Sequence, residues 1–110
     1  MIIIGQYEEL SPGHGYPRMK DSMQDTKYER MDDIISYLEN AKDTMASFRL
    51  PKDVFTGESI KVTPLLKNDG VYVWWSTLTY YISKYNLRLP KDVENHILKR
   101  VESKKQYVNE

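Results

Sequence analysis

Asn68 to Pro90, NDGVYVWWSTLTYYISKYNLRLP, is the stretch that decides the fold. It carries both tryptophans, and Tyr72, Tyr80, Tyr81 and Tyr85 of the chain's nine tyrosines. Asn68-Asp69-Gly70 supplies short polar side chains and a glycine, the residues that tolerate positive φ in a hairpin turn. Val71 to Trp75 is a β-branched and aromatic run suited to a pleated surface, so a strand leaves that turn. Ser76 offers a hydroxyl to the free N–H groups of a helix start, and Leu78, Tyr81, Ile82 and Tyr85 recur at the spacing of one buried helical stripe. Asn86 suits the left-handed residue that follows a helix, and Pro90 lacks the N–H needed to continue one. The stretch therefore predicts a turn, a strand, and a helix ending near Tyr85.

Working outward, Thr44 to Arg49 and Ser59 to Leu66 read as two further strands, the second with Ile60, Val62 and Leu65 inward. Between them Asp53-Val54-Phe55-Thr56-Gly57-Glu58 ends in turn chemistry. With Val71 to Trp75 these strands form a three-stranded antiparallel meander. A first helix begins at Thr26, where Thr26-Lys27-Tyr28-Glu29 is a capping box, and it runs to Asn40–Lys42 with Tyr28, Met31, Ile34, Ile35 and Leu38 on its inward stripe. A last helix spans Pro90 to Ser103, with Asp92 and Glu94 in its first turn and Lys99 and Arg100 in its last, matching the helix dipole. Val93, Ile97, Leu98 and Val101 form its apolar stripe, and His96 sits at the edge of that stripe. Met1 to Tyr7 suits a short edge strand, while Pro12, Gly13, Gly15 and Pro17 make Glu8 to Lys20 a loop. Residues 1–25 as a whole read as an irregular N-terminal segment and residues 104–110 as a frayed tail. The expected fold is α+β: one domain over 1–110, a three-stranded antiparallel meander packed against about three helices.

Composition narrows the function classes. With no cysteine in 110 residues, disulfides, thiolate metal sites and a cysteine nucleophile are excluded. MIIIG is too short for the hydrophobic region of a signal peptide and no segment approaches a membrane span, so a cytoplasmic protein without membrane attachment is expected. Sixteen basic and sixteen acidic side chains cancel, unlike a protein that lives on the phosphate backbone. Residues 1–55 nevertheless hold ten acids against seven bases, a balance of −3, and residues 56–110 hold six acids against nine bases, a balance of +3.

A nucleophilic triad would have to use His14, in the glycine-rich loop, or His96, on a helix flank. Neither has metal ligands at a useful spacing, and no phosphate-cradling glycine motif is present, so no catalytic residue, cofactor or metal is expected. Lys84, Arg88, Lys91, Lys99, Arg100, Lys104 and Lys105 flank a tyrosine-rich helix, but its tyrosines fall on the core stripe rather than facing bases, which argues against direct nucleic-acid binding. Protein binding fits the nine tyrosines and two phenylalanines better, since tyrosine combines apolar area with a polar tip.

Asp-Gly-Val-Tyr-Val-Trp from Asp69, Ser-x-Leu-x-Tyr-Tyr from Ser76, Lys-Tyr-Asn-Leu-Arg-Leu-Pro from Lys84 and the Asn95-His96 pair carry a resemblance, as does the upstream Asp53-Val54-Phe55-Thr56-Gly57-Glu58. Over roughly residues 26–101 the chain resembles small bacterial cytoplasmic immunity proteins of polymorphic toxin and contact-dependent growth inhibition systems. The resemblance implies a non-catalytic protein that neutralises one cognate toxin domain, often a nuclease, by stoichiometric binding. Because nuclease surfaces are basic, the expected partner-binding residues are acidic: Glu8, Glu9, Asp21, Asp25, Glu29, Asp32 and Asp33, with Tyr7 and Tyr16 as exposed anchors. The alternative is a structural or adaptor protein that forms a homodimer through its Trp/Tyr surface.

Overall fold

The computed structural model describes residues 1–108, with side chains through Lys104. Its elements are β1 (Ile2–Ile3), a 3-10 turn (Met19–Ser22), α1 (Met31–Glu39), β2 (Lys42–Ala46), β3 (Leu65–Asn68), β4 (Tyr72–Trp75), α2 (Thr77–Tyr85) and α3 (Lys91–Val108). The chain is α+β with three helices, as expected, but the sheet is a four-stranded mixed one in the order β1-β4-β3-β2. β1 runs parallel to β4, pairing Ile2 with Tyr72 and Ile3 with Val73, and so adds an edge that an antiparallel meander lacks.

The opening stretch folds much as its residues dictate. Gly70 takes φ +91 in the turn; the Asn68 side chain accepts from the Gly70 N–H, and Asp69 Oδ1 accepts from the N–H groups of Val71 at 2.9 Å and Tyr72 at 2.7 Å. β3 and β4 leave this turn antiparallel, Lys67 facing Trp74 and Leu66 facing Trp75. Asn86 is left-handed at φ 53, ending α2. Ser76 does not cap the helix with its hydroxyl. It accepts the Leu65 N–H at 2.9 Å and donates to the Thr63 carbonyl at 3.1 Å, tying the helix start to the entry of β3.

Three expectations are corrected. The strand expected at Ser59–Leu66 begins only at Leu65, because Pro64 has no N–H for the ladder; Ile60 is buried as expected, while Val62 is exposed. The strand expected at Thr44–Arg49 is Lys42–Ala46, and all its residues are exposed, so it is an outer edge of the sheet. The capping box at Thr26–Glu29 does not form. Tyr28 instead donates its hydroxyl to the Leu87 carbonyl at 2.6 Å with Arg88 over its ring, and Arg30 sits left-handed at φ 65 ahead of α1. Arg30 holds that strained entry by binding Asp33 at 3.1 Å and Glu102 of α3 at 2.5 Å.

Met31, Ile34 and Leu38 of α1, Leu78, Tyr81 and Ile82 of α2, Val93 and Ile97 of α3 and Trp74 of β4 share one core, with α1 against both other helices. The N-terminal segment is irregular but fixed: Met19 is fully buried, and Arg88 N–H and Gln24 N–H bond the carbonyls of Ser22 and Asn86 across the α2–α3 connection. α3 continues through residues 104–108, past the expected end at Ser103; Asn109 and Glu110 of the expected tail lie outside the described residues.

Candidate protein-binding surface

Two buried aspartates gather most of the polar geometry, and both hold the fold together. Asp53 has a fully buried side chain. Its Oδ1 accepts from the N–H groups of Phe55 at 2.7 Å and Thr56 at 3.2 Å, closing a turn, and its Oδ2 accepts from the hydroxyls of Tyr80 and Tyr85, both at 2.6 Å. Burial would raise this carboxyl, but the four donors together hold it well below the usual carboxylate range. Lys84 lies 3.4 Å away and over the rings of Tyr80 and Tyr85, and its bond to the Tyr80 hydroxyl raises its pKa. Burial first, then the bond to Asp53, pushes Tyr85 up to about 12. The Tyr81 hydroxyl accepts the Val54 N–H and donates to the Lys52 carbonyl, so three tyrosines of α2 clamp residues 52–56.

Asp69 performs the same task at the hairpin. Its Oδ2 accepts the Tyr37 hydroxyl of α1 at 2.6 Å and lies 2.8 Å from His96 Nε2 of α3, while Arg100 donates to its carbonyl at 2.7 Å. Burial favours the neutral acid, yet these donors and two backbone N–H groups hold it well below its ordinary value. His96 is therefore a half-buried member of a clamp joining β-hairpin to helices, set edge-on to Tyr72. In both networks the shifts keep the carboxylates and Lys84 charged and the tyrosines as hydroxyls, the states their hydrogen bonds require.

A cleft of about 160 Å³ lies between β1 and α2, lined by Ile3, Gly5, Trp75, Leu78 and Tyr81 with Gln6, Ser11 and Thr77 as its polar members. None of its lining residues carries a carboxylate, imidazole or amine. Among the described residues no three His, Asp or Glu side chains converge as metal ligands, and His14 is exposed and stacked on Tyr16.

The acidic residues expected to bind a partner do not form a bare patch. Tyr7 is 4 % exposed and belongs to the core, which overturns its place as an exposed anchor. Glu9 accepts the Met19 and Lys20 N–H groups at 2.7 and 3.0 Å, fixing the 3-10 turn, and Glu8 accepts from Gly13. Asp21 pairs with Arg18, Asp32 with Lys27 at 2.6 Å and Asp33 with Arg30. Asp25 and Glu29 are exposed with no base within 4 Å among the described residues, and Tyr16 is half-buried beside His14. Three of the seven expected acids are thus paired with bases of the same half, while Asp43 and Asp53 are answered by Lys67 and Lys84 of the other half. Of the Trp/Tyr surface offered for a homodimer, Trp74 and Tyr81 are buried, while Tyr72, Trp75, Tyr80 and Tyr85 are half-buried.

Bare apolar side chains stand at both edge strands, Met1 and Ile2 at β1 and the most exposed of them at the β2 edge. Beyond β2, Phe48 is 100 % exposed and Leu50 89 %, and Met45 within the strand is 57 % exposed. The sequence placed Phe48 inside a strand over Thr44–Arg49, whereas the strand ends at Ala46. A scan against protein-family models, a search of curated proteins and a search of solved structures each return no match.

Proposed function

We propose that the chain is an immunity protein, as its resemblance implies: a stoichiometric inhibitor that binds a cognate bacterial toxin domain, a nuclease being the expected class, and blocks it without chemistry of its own. The observation that carries this proposal is the strip Met45, Phe48 and Leu50 along the open edge of the sheet. Burying a fully exposed phenylalanine and a nearly fully exposed leucine under a partner is worth roughly 2 kcal/mol each. The two buried aspartate clamps support the same reading, because they make the scaffold rigid and so lower the ordering cost of binding.

Co-expression with the product of the adjacent gene tests the proposal. A growth arrest caused by that product alone, relieved by this chain, together with a 1:1 complex on sizing, is the expected outcome. A harmless neighbour, or relief without a complex, refutes it. Within that assay, reversing Asp32 and Asp33 to lysine breaks pairs that are internal to this chain and leaves relief intact, whereas Phe48→Ser with Leu50→Ser abolishes it.

A further inference from the structure

Charge along the open edge is as informative as its apolar side chains. Residues 42–62 contain four bases, Lys42, Arg49, Lys52 and Lys61, and three acids, Asp43, Asp53 and Glu58. Each acid is answered from outside the segment: Asp43 by Lys67 at 2.6 Å, and Asp53 and Glu58 by Lys84 at 3.4 and 3.9 Å. None of the four bases has a carboxylate within 4 Å among the described residues. The segment that displays Phe48 and Leu50 therefore displays four uncompensated cations with them.

The backbone there is also open. β2 is the last strand of the sheet, and the Ser47 N–H bonds the Pro64 carbonyl, prolonging contact with the sheet by one residue. Alternation along the antiparallel strand turns the backbone groups of Ala46 outward; past the strand's end Ser47 Oγ accepts the Arg49 N–H at 3.2 Å, and the Phe48 N–H has no acceptor among the described residues. The first half of the edge is guarded, since a bulge falls between Asp43 and Met45 and the Thr44 hydroxyl bonds the Leu66 carbonyl across it. Beyond Met45 no bulge or proline intervenes before Pro51.

We propose that the edge from Met45 to Leu50 docks an extended strand of a protein partner whose exposed charges are acidic and whose alternate side chains are apolar. The inference rests on the protein-binding proposal and gives the partner its chemistry. Main-chain pairing at Ala46 and Phe48 supplies affinity, Phe48 and Leu50 supply apolar anchors, and Arg49, Lys52 and Lys61 select the sign of the partner. For a nuclease this places the docking site away from its basic substrate groove, so inhibition would act by occlusion from the side or by locking a conformation.

Two synthetic peptides of about eight residues test it, one alternating glutamate with valine or leucine and one with lysine in place of each glutamate. With the full chain, the acidic peptide binds about tenfold more tightly than the basic one and slows amide exchange at Ala46 and Phe48. Arg49→Glu combined with Lys52→Glu and Lys61→Glu reverses the preference. Equal binding of both peptides, protection confined to other residues, or no reversal in the charge-swapped variant overturns the inference. Concentration-dependent protection of Ala46 and Phe48 in the chain alone would assign the edge to a second copy. Protection by phosphatidylserine-containing vesicles but by neither peptide would assign it to a membrane. Either result overturns the acidic strand while leaving the co-expression experiment to decide inhibition.

Discussion

Replacing Asp53 by alanine removes the acceptor on which residues 52–56 and α2 both close. Four donors lose their partner at once: the hydroxyls of Tyr80 and Tyr85 at 2.6 Å and the N–H groups of Phe55 and Thr56 at 2.7 and 3.2 Å. Bonds to an ionised acceptor contribute about 1.5–3 kcal/mol each, but burying the carboxylate has already cost several kcal/mol, and the tyrosine hydroxyls can turn to water once the turn loosens. The net loss expected is about 3–5 kcal/mol, a large share of the roughly 5–15 kcal/mol of a domain this size, and lowers Tm by roughly 10–25 °C. Asp53→Asn keeps one acceptor oxygen for the Phe55 and Thr56 N–H groups and turns the other into a donor, which the Tyr80 and Tyr85 hydroxyls can meet by rotating to accept, so its loss is expected to be smaller than that of alanine. Urea titration of the three proteins, followed by tryptophan fluorescence with an unchanged slope, gives the numbers directly. A loss below about 1 kcal/mol for Asp53→Ala refutes the assignment of this carboxylate to the fold. Glu58→Gln, which touches Lys84 only at 3.9 Å from an exposed position, is the control and leaves Tm unchanged.

Stability responds to pH at both ends. Asp53 and Asp69 are held below their unfolded values, so the stability they contribute is present above about pH 4 and is lost as pH falls through the lower folded values, an acid transition that Asp53→Asn makes shallower. Tyr7, Tyr28, Tyr37 and Tyr85 are pushed from 10.0 up to about 12, chiefly by burial; their contribution is complete below pH 10 and is lost as pH rises through about 12, seen as tyrosinate absorbance appearing together with loss of helical circular dichroism. Gly5 has φ +80, and a Cβ there would meet the Leu78 methyls at 3.2 Å, so Gly5→Ala costs about 1–3 kcal/mol by thermal melting, more than Gly13→Ala, where φ is +86 but nothing lies within 4 Å.

Local chemistry was legible in the sequence where one residue type has one job. Asn68-Asp69-Gly70, Asn86 and Pro90 each have a backbone conformation that few other residues accept, and all three sit where those conformations are required. The helical stripes were legible too, because periodicity reports burial whatever the partner: Met31, Ile34, Leu38, Leu78, Ile82, Val93 and Ile97 are all in the core. Boundaries went astray where a distant contact outbid a local signal. Thr26 and Glu29 form a sound capping box on paper, yet Tyr28 is drawn to Leu87, 59 residues away. Likewise Ser76 has a capping hydroxyl but spends it on Leu65 and Thr63.

The candidate surface was the least legible part, for a physical reason. Formal charge in residues 1–55 totals −3, but Lys27, Arg30 and Arg18 pair with Asp32, Asp33 and Asp21, three of the acids expected to face a partner. Pairing of this kind depends on side chains meeting in space, which counting cannot show. Conversely, residues 42–62 look balanced in sequence, and only the reach of Lys67 and Lys84 from elsewhere leaves their bases free. The one local hint was Asp53-Val54-Phe55-Thr56-Gly57, whose aspartate-led turn foretold the loop that carries this edge past the sheet.

Most direct for the central claim, that the open edge at Met45–Leu50 exists for a partner and not for the fold, is a paired measurement on Phe48→Ser with Leu50→Ser. Both side chains stand in solvent, so Tm is expected to stay within about 3 °C of the parent, while affinity for the proposed toxin partner falls by at least about a hundredfold and protection of growth is lost. Unchanged affinity at unchanged Tm contradicts the claim, as does a large fall in Tm, which would make these side chains part of the core after all.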